Sequence, residues 1–175
     1  MHILFIGYGK TSRRVAKQLF EQGHQISTIS SSPKTDSFAT HLIQDVHKLN
    51  LTTVTPIDWV YVLLSPKQSA VDGYQQTYLD SVQPIVTALK QHPVQRIVVV
   101  SSTRVYGQNA GENVNDETPL QPNDVQGKIL YRMEQAYLAA YPEQCTIIRP
   151  SGIYGTSVEH LQKMAVSMTS YPNLH

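Results

Sequence analysis

"HILFIGYGKTSRR", residues 2 to 14, decides the fold, because an apolar run leads directly into a glycine-rich turn. Two kinds of phosphate-binding loop contain parts of this stretch. The loop of nucleoside triphosphatases requires Gly-x-x-x-x-Gly-Lys-Ser/Thr. Counting back five residues from Gly9 reaches Leu4, so the first glycine of that loop is missing. The stretch therefore favours the other kind, the Gly-x-Gly-x-x-Gly turn of a dinucleotide-binding domain.

Each position of this turn has a physical requirement. Gly7 permits the tight turn, and Gly9 lets the backbone approach a pyrophosphate. Ser12 replaces the third glycine, which allows close packing of helix against strand, and a serine is small enough for that role. Lys10 and Thr11 begin the predicted helix, whose free N–H groups and positive dipole end would face the phosphates.

The rest of the chain alternates short apolar runs with helical patterns. Helices are predicted at 10–22, at 68–91 with an interruption or kink at Pro84, and at 125–140, and a polar loop covers 103–123. Strands are predicted at 2–6, 25–30, 41–46, 59–64, 96–102 and 145–150. Apolar strands alternating with helices indicate a parallel sheet covered on both faces. We therefore predict a Rossmann-type, doubly wound, three-layer α/β domain whose ligand lies at the carboxyl ends of the strands.

Composition narrows the class of protein. The formal net charge is +1, and the longest basic run is the Arg13–Arg14 pair, which argues against a nucleic-acid-binding surface. Cys145 is the single cysteine, so we expect a core thiol and a reducing compartment. The start of the chain is too short for a signal sequence, and no apolar run would span a bilayer. We therefore expect a cytoplasmic protein with no membrane partner.

The end of the second strand distinguishes the two nicotinamide cofactors. An acidic residue there would bind the ribose 2′-hydroxyl of NAD. This chain has Ser30, Ser31 and Lys34 instead, with Arg13 or Arg14 as a second cation, and such groups suit the 2′-phosphate of NADP. Asp36 is the nearest acid and is expected to lie too far past the strand. NADP is thus preferred over NAD, and a solvated serine loop is the alternative.

Three further stretches carry a resemblance to a known family. They are "SSTRVYG" at 101–107, "NDETPLQP" at 115–122 and "RPSGIYG" at 149–155. In this order and spacing they resemble motifs of the extended short-chain dehydrogenase/reductase superfamily, the NAD-dependent epimerase/dehydratase group. The resemblance covers essentially residues 1 to 156, and it looks closest to small atypical bacterial members loosely called nucleoside-sugar epimerases.

The resemblance implies roles for residues outside the glycine turn. Ser102 matches the catalytic Ser/Thr that hydrogen-bonds the substrate oxygen, with capping of the strand end as the alternative. Lys128 occupies the position of the lysine that binds the nicotinamide ribose. The other residues expected to contact the cofactor are Asp45 (at the adenine amino group), Leu64, Ser65, Pro66, Pro150 and Ile153. Tyr106 and Tyr154 are expected to be mainly structural.

Two features depart from the family pattern. The family uses Tyr-x-x-x-Lys on the helix after the polar loop, where the lysine lowers the tyrosine pKa for proton transfer. Four residues before Lys128 stands Asp124, so the proton-transfer group is absent or altered. Family members also continue for roughly another hundred residues that form the substrate lobe. We expect a dinucleotide-binding domain at 1–156 and the start of a truncated or vestigial lobe at 157–175.

These expectations leave two functions open. The first is an NADP-dependent, epimerase-like oxidoreductase acting on a small hydroxyl or carbonyl compound such as a nucleotide sugar, with Ser102, Asp124 and Lys128 as catalytic residues and no metal. The second is an NADP-binding sensor or regulatory module without turnover. The resemblance also implies a homodimer formed through the long helices after the fourth and fifth strands.

Overall fold

The computed structural model describes residues 1–108 and 110–151, which form one parallel six-stranded sheet with helices on both faces. The strands are β1 (His2–Ile6), β2 (Gln25–Ser30), β3 (Thr40–Ile43), β4 (Trp59–Val62), β5 (Arg96–Val100) and β6 (Cys145–Ile148). Their order across the sheet is β3-β2-β1-β4-β5-β6, and every neighbouring pair is parallel. The Rossmann-type architecture predicted from the sequence is confirmed.

The helices lie between the strands along the chain. They are α1 (Lys10–Glu21), α2 (Val71–Tyr74), α3 (Val82–Leu89) and α4 (Val125–Ala140), and a π-helical segment, Gln75–Leu79, follows α2 directly. Short 3₁₀ turns occupy Val46–Lys48 and Thr103–Val105. The chain reverses its direction of winding between β1 and β4, so a crevice forms there at the carboxyl edge of the sheet.

Alternation along β1 explains why both faces of the sheet are covered. Ile3 and Phe5 pack with Ala16 of α1 in one cluster. Leu4 and Ile6 pack into a second cluster on the other face, which also contains buried side chains of α3 and α4. All five residues of β1 are buried. Because successive strand residues point to opposite faces, a strand covered by helices on both faces is mostly apolar, and the one polar residue of β1, His2, is hydrogen-bonded to Ser27 Oγ.

The helix predicted at 68–91 is divided, and the break lies before Pro84 rather than at it. The Asp80 N–H donates to the Gln75 carbonyl at 3.0 Å, which is the i→i−5 bond of a π-turn, and α3 begins at Val82. Proline lacks an N–H and its ring clashes with the carbonyl four residues earlier, here that of Asp80. The distortion therefore appears in the turn that precedes the proline.

Several strands are shorter than predicted. β3 ends at Ile43, and Asp45 instead caps the 3₁₀ turn at 46–48 by accepting a hydrogen bond from the His47 N–H. β4 ends at Val62, β5 at Val100 and β6 at Ile148. The side chains expected to bind a ligand after these strands therefore lie on loops.

A buried ion pair connects the last helix with the last strand. Glu134 of α4 is fully buried, and its carboxylate receives hydrogen bonds from the Arg149 guanidinium, the shortest 2.9 Å from Nη2 to Oε2. Arg149 also donates to the Tyr106 hydroxyl at 3.3 Å and stacks over the Tyr106 ring. The pair fixes the end of β6 against α4 and the loop after β5, in agreement with the structural role expected for Tyr106.

Candidate functional site

A cavity of about 980 Å³ opens at the carboxyl edge of the sheet, at the crevice between β1 and β4. Loops after β1, β2, β3 and β4 line one part of it, and α2 with the π-helical segment lines the other. Among the residues predicted from the sequence, those that line this cavity are Gly7, Gly9, Ser30, Ser31, Lys34, Asp45, Leu64 and Ser65. The structure thus brings together groups that are up to 58 residues apart in the chain.

The first glycine of the turn is required by the backbone. Gly7 has φ of +90°, and a Cβ there would overlap the carbonyl oxygen of Leu63, so no other residue fits without a backbone shift. Ser12 is buried and donates a hydrogen bond from Oγ to the Gly7 carbonyl at 2.8 Å. The small residue in the third glycine position therefore packs α1 against the turn.

The second glycine faces open space. A Cβ on Gly9 would have no atom of the described residues within 4 Å, and its φ of −96° is accessible to any residue. Gly9 is the N-cap of α1, and in the part of the chain that the structure describes no side chain caps this helix and no acid lies in its first turn. Uncapped N–H groups beside open space fit the diphosphate of a dinucleotide. Lys10 and Thr11, in that first turn, are exposed.

The loop after β2 presents hydroxyls and one cation to the cavity. Ser30, Ser31, Ser32 and Lys34 line it, and Ser30 Oγ donates to the Ser32 carbonyl at 2.6 Å. No carboxylate belongs to this group of lining residues. These are the groups that the sequence predicted for the ribose end of the cofactor, and that assignment stays a prediction.

Asp36 lies nearer to the glycine turn than its position in the sequence suggested. Its carboxylate accepts hydrogen bonds from Arg13 Nε at 2.6 Å and from the Tyr8 hydroxyl at 3.2 Å. Burial raises the pKa of Asp36, but the hydrogen bonds from Arg13 and Tyr8 and the charges of Arg13 and His41 lower it, and the net effect is a lowered pKa. Burial and Asp36 raise the pKa of Tyr8 to about 12. Arg13, a candidate for binding the 2′-phosphate, is thus already paired in this structure.

The loop after β3 lines another part of the cavity wall. Asp45 Oδ1 accepts from the His47 backbone N–H and lies 2.9 Å from His47 Nδ1. These hydrogen bonds, first the backbone one, lower the pKa of Asp45. His47 Nε2 lies 2.9 Å from the Gln76 carbonyl oxygen of the π-helical segment. Several polar residues of the cavity were not predicted, although polar residues after β4 were a usable signal: among them are His47, Lys67, Gln68 and Gln76.

Ser102 lies at the end of β5, outside the residues that line the cavity. Its Oγ accepts a hydrogen bond from the Arg104 N–H at 3.2 Å and caps the 3₁₀ turn at 103–105. Pro150 is adjacent, because its carbonyl accepts from the Thr103 N–H at 3.2 Å. A hydroxyl that accepts from a backbone N–H retains its own hydrogen for donation. Ser102 is therefore a cap that can still act as a donor.

Asp124 has several partners at the start of α4. Its Oδ1 accepts from the Gly127 N–H at 2.7 Å, which makes it the N-cap, and both carboxylate oxygens accept from Arg104 Nε at 2.9 and 3.1 Å. The Gly127 hydrogen bond first, and then Arg104, lower the pKa of Asp124. Arg104 also donates to Gln126 Oε1 at 3.1 Å, and Gln126 donates to the Ser69 carbonyl at 3.0 Å.

The structure does not bring Lys128 to the cavity. Lys128 is exposed, whereas its neighbours Gly127 and Ile129 are buried. Asp124 has extended backbone angles and so precedes the helix, which means that the four-residue spacing does not place both side chains on one helical face. Their assignment to one proton-transfer pair stays a prediction. Pro66 is likewise not a lining residue, and Ile153, Tyr154 and the segment 157–175 lie outside the described residues.

The described residues contain neither a metal-binding cluster nor a membrane-spanning helix. Within residues 1–108 and 110–151, no three His, Cys, Asp or Glu side chains are arranged to bind a metal ion. In the same ranges, no helix has the length and apolar character needed to cross a bilayer.

Cys145 is half-buried. Burial first, and then Glu134, raise the pKa of its thiol to about 11, so the thiol stays protonated at neutral pH.

Known proteins resemble this chain in sequence, in fold or in both. Protein YeeZ of Escherichia coli K12 is 33% identical over 94 residues, which are 54% of this chain and 34% of YeeZ. The structure of a putative NAD-dependent epimerase/dehydratase from Methylobacillus flagellatus superposes with a TM-score of 0.76 at 30% identity, over 98% of this chain and 61% of that chain.

A third relative is similar in fold alone. UDP-glucuronic acid 4-epimerase from Bacillus cereus, solved in complex with NAD, superposes with a TM-score of 0.74 at 18% identity, over 89% of this chain and 58% of that chain. The chain thus spans about a third of YeeZ and about three fifths of these two solved chains. The model of the NAD dependent epimerase/dehydratase family matches residues 7–170. The chain belongs to the NAD dependent epimerase/dehydratase family.

Proposed function

We propose that the protein binds NADP in preference to NAD and acts as an epimerase- or dehydratase-like oxidoreductase on a small hydroxyl or carbonyl compound. The observation that carries the proposal is the open position beside Gly9, next to the uncapped start of α1 and the cavity. A glycine without a packing neighbour at this point is explained if a ligand occupies the space. Membership of the family supports a nicotinamide dinucleotide as that ligand.

The proposed contacts follow from the chemistry of the lining residues. The N–H groups at the start of α1 bind the diphosphate, and Asp45 accepts from the adenine amino group. Ser30, Ser31 and Lys34 bind the 2′-phosphate, which is the basis for preferring NADP, because charge-assisted hydrogen bonds are about twice as strong as neutral ones. A bound nicotinamide supplies hydride transfer. The protein's part is to position the ring and the substrate and to move the proton.

Ser102 is the proposed donor to the substrate oxygen. Its Oγ accepts from the Arg104 N–H, so its own hydrogen is free to polarise a carbonyl or to orient a hydroxyl. The proposed proton-transfer group is Asp124 or a water molecule, and Lys128 is the proposed ligand of the nicotinamide ribose. Asp124 is held ionised by Gly127 and Arg104, so it would accept a proton far more readily than it would donate one.

One substitution separates a chemical role of Asp124 from a capping role. Asn caps a helix about as well as Asp, so Asp124→Asn keeps the start of α4 while it removes the carboxylate. A loss of turnover of about 10²-fold or more with an unchanged melting temperature would support acid/base catalysis. Unchanged turnover would assign Asp124 to capping alone.

A nucleotide sugar is the proposed class of substrate. The support is that the family neighbour from Bacillus cereus is by its name an epimerase of UDP-glucuronic acid. The non-catalytic sensor is the less favoured function, since family membership points to an enzyme. We further propose a cytoplasmic homodimer with no nucleic-acid or membrane partner.

Calorimetry tests the proposal. The wild-type protein and Gly9→Val are each titrated with NADPH and with NADH. The wild type should bind NADPH, and it should bind NADH about tenfold more weakly. Gly9→Val should not bind NADPH. Turnover is then measured with a panel of nucleotide sugars and carbonyl compounds. Failure of both dinucleotides to bind would refute the proposal, and binding without any turnover would favour the sensor.

A further inference from the structure

His47 joins two parts of the cavity wall that are far apart in the chain. Its Nδ1 lies 2.9 Å from Asp45 Oδ1, and its Nε2 lies 2.9 Å from the carbonyl oxygen of Gln76. All three residues line the cavity. The imidazole therefore forms a bridge between the loop after β3 and the π-helical segment at one end of the cavity.

The π-turn explains why the Gln76 carbonyl is available. In a regular α-helix this carbonyl would accept from the Asp80 N–H, four residues later. Here the Asp80 N–H donates to the Gln75 carbonyl instead, at 3.0 Å. The Gln76 carbonyl is thereby released from that bond and accepts from His47. π-turns of this kind are frequent at functional sites.

Both partners of the imidazole are acceptors. A backbone carbonyl cannot donate a hydrogen bond, and neither can an ionised carboxylate. Asp45 is ionised at neutral pH, because the hydrogen bonds from His47 lower its pKa. A neutral imidazole has one N–H and can satisfy only one of these partners, whereas the imidazolium has two. The geometry therefore requires the protonated form of His47.

We propose that protonated His47 is a positioning residue of the dinucleotide site, which holds Asp45 against the π-helical segment so that affinity for the dinucleotide falls when His47 loses its proton. The inference rests on the proposed function, because it takes the adenine end of the cofactor to lie at Asp45. On deprotonation one of the two hydrogen bonds is lost, and Asp45 or the π-helical segment is released from the bridge.

The surrounding charges agree with a protonated imidazole. Asp45 and Lys48 are on its own segment, and Asp80 follows the π-helical segment. Helix α3, which packs against the 3₁₀ turn of His47, has no ionisable side chain, while Lys67 and Asp72 line the same cavity. The Gln76 carbonyl first, and then Asp45, raise the pKa of His47 although partial burial lowers it. A raised pKa means that the bridge is complete below the ordinary value of about 6.5 and is lost as the pH rises through the folded-state pKa.

Two measurements test the inference. NADH, which lacks the 2′-phosphate that would itself titrate at about pH 6, is the probe: its affinity is measured by calorimetry between about pH 5.5 and 8.5. The histidine ring protons of the ligand-free protein are followed by NMR. His47→Gln identifies the His47 signal by its disappearance and provides a side chain that does not titrate. His24→Gln is the matched control, because His24 precedes β2 at the amino edge of the sheet, remote from the cavity.

As the pH rises across this range, the wild type is expected to lose affinity by about two- to fivefold, which is the contribution typical of a solvent-exposed ion pair. His24→Gln should keep this dependence, and His47→Gln should abolish it and bind as weakly at every pH as the wild type does at high pH. An equal pH dependence in the wild type and His47→Gln, or none in the wild type, would overturn the inference. Absence of dinucleotide binding at every pH would refute the proposed function and with it the positioning role. The NMR titration tests the bridge separately. A pKa of His47 no higher than that of an ordinary histidine would refute the bridge.

Discussion

The two glycines of the first turn are expected to fail in opposite ways when they are replaced. Gly9→Val should leave a folded protein that no longer binds NADPH, because the new side chain occupies open space beside the start of α1. Gly7→Ala should instead unfold or strongly destabilise the domain. Both substitutions lie in one turn, so each serves as the control for the other.

The magnitudes follow from the geometry. At Gly7 an alanine would have to adopt a φ of +90° while its Cβ overlaps the backbone carbonyl of Leu63, which cannot rotate away. A non-glycine residue in such a conformation costs about 1–3 kcal/mol before any clash is counted. At Gly9 the φ of −96° is ordinary, and replacing a glycine N-cap costs about 1 kcal/mol. A diphosphate displaced by valine would lose two charge-assisted hydrogen bonds, about 3 kcal/mol or more, which is at least a hundredfold in affinity.

Urea denaturation measures the first effect, and calorimetry with NADPH measures the second. Gly9→Val should keep a single unfolding transition within about 1 kcal/mol of the wild type and should show no heat of binding. The reasoning fails if folded Gly9→Val binds NADPH as tightly as the wild type, because the cofactor would then not approach this turn. It also fails if Gly7→Ala is as stable as the wild type.

Three other substitutions test separate parts of the site and its supports. Lys34→Ala should reduce NADPH affinity about tenfold or more, the contribution of a charge-assisted bond of roughly 1.5–3 kcal/mol, and should leave NADH affinity unchanged; equal losses for both would remove Lys34 from the 2′-phosphate site. Asp124→Ala should lower the free energy of unfolding by about 1 kcal/mol through loss of the cap. Because the pKa of Asp124 is lowered on folding, this difference from the wild type should be present above about pH 4 and should disappear as the pH falls through the folded-state pKa. Glu134→Gln should lower the free energy of unfolding by about 3 kcal/mol, measured by thermal or urea unfolding, because Arg149 is left partly buried without its counter-charge. Glu143→Gln, at an exposed position in the turn after α4, is the control and should change the free energy of unfolding little.

The features that the sequence predicted well depend on local pattern. The strand at 2–6 and the helix at 125–140 have the predicted bounds, because an unbroken apolar run and a helical repeat of apolar residues depend only on near neighbours. The packing role of Ser12 was predictable for the same reason, since it follows from its place in the turn. Sheet order follows from the usual winding of alternating strands and helices.

The features that escaped prediction depend on contacts between distant segments. Asp36 returns to Tyr8 and Arg13 only because of the path of the loop after β2, which the sequence does not specify. The bridge of His47 uses a carbonyl that the π-turn leaves available, and the position of that turn, several residues before Pro84, was not predicted. Asp124 was predicted in the position of the family's tyrosine, and the structure shows in addition that it is the N-cap of α4. In each case a polar side chain found a partner that local periodicity cannot identify.

The ion pair between Glu134 and Arg149 has a consequence for the order of events during synthesis. Glu134 leaves the ribosome fifteen residues before Arg149, and a lone carboxylate is costly to transfer from water to the interior. Helix α4 can therefore form early but can settle against the sheet only when Arg149 is available. Nascent chains arrested before Arg149 emerges should remain sensitive to protease within α4, and chains arrested after β6 has cleared the exit tunnel should become resistant.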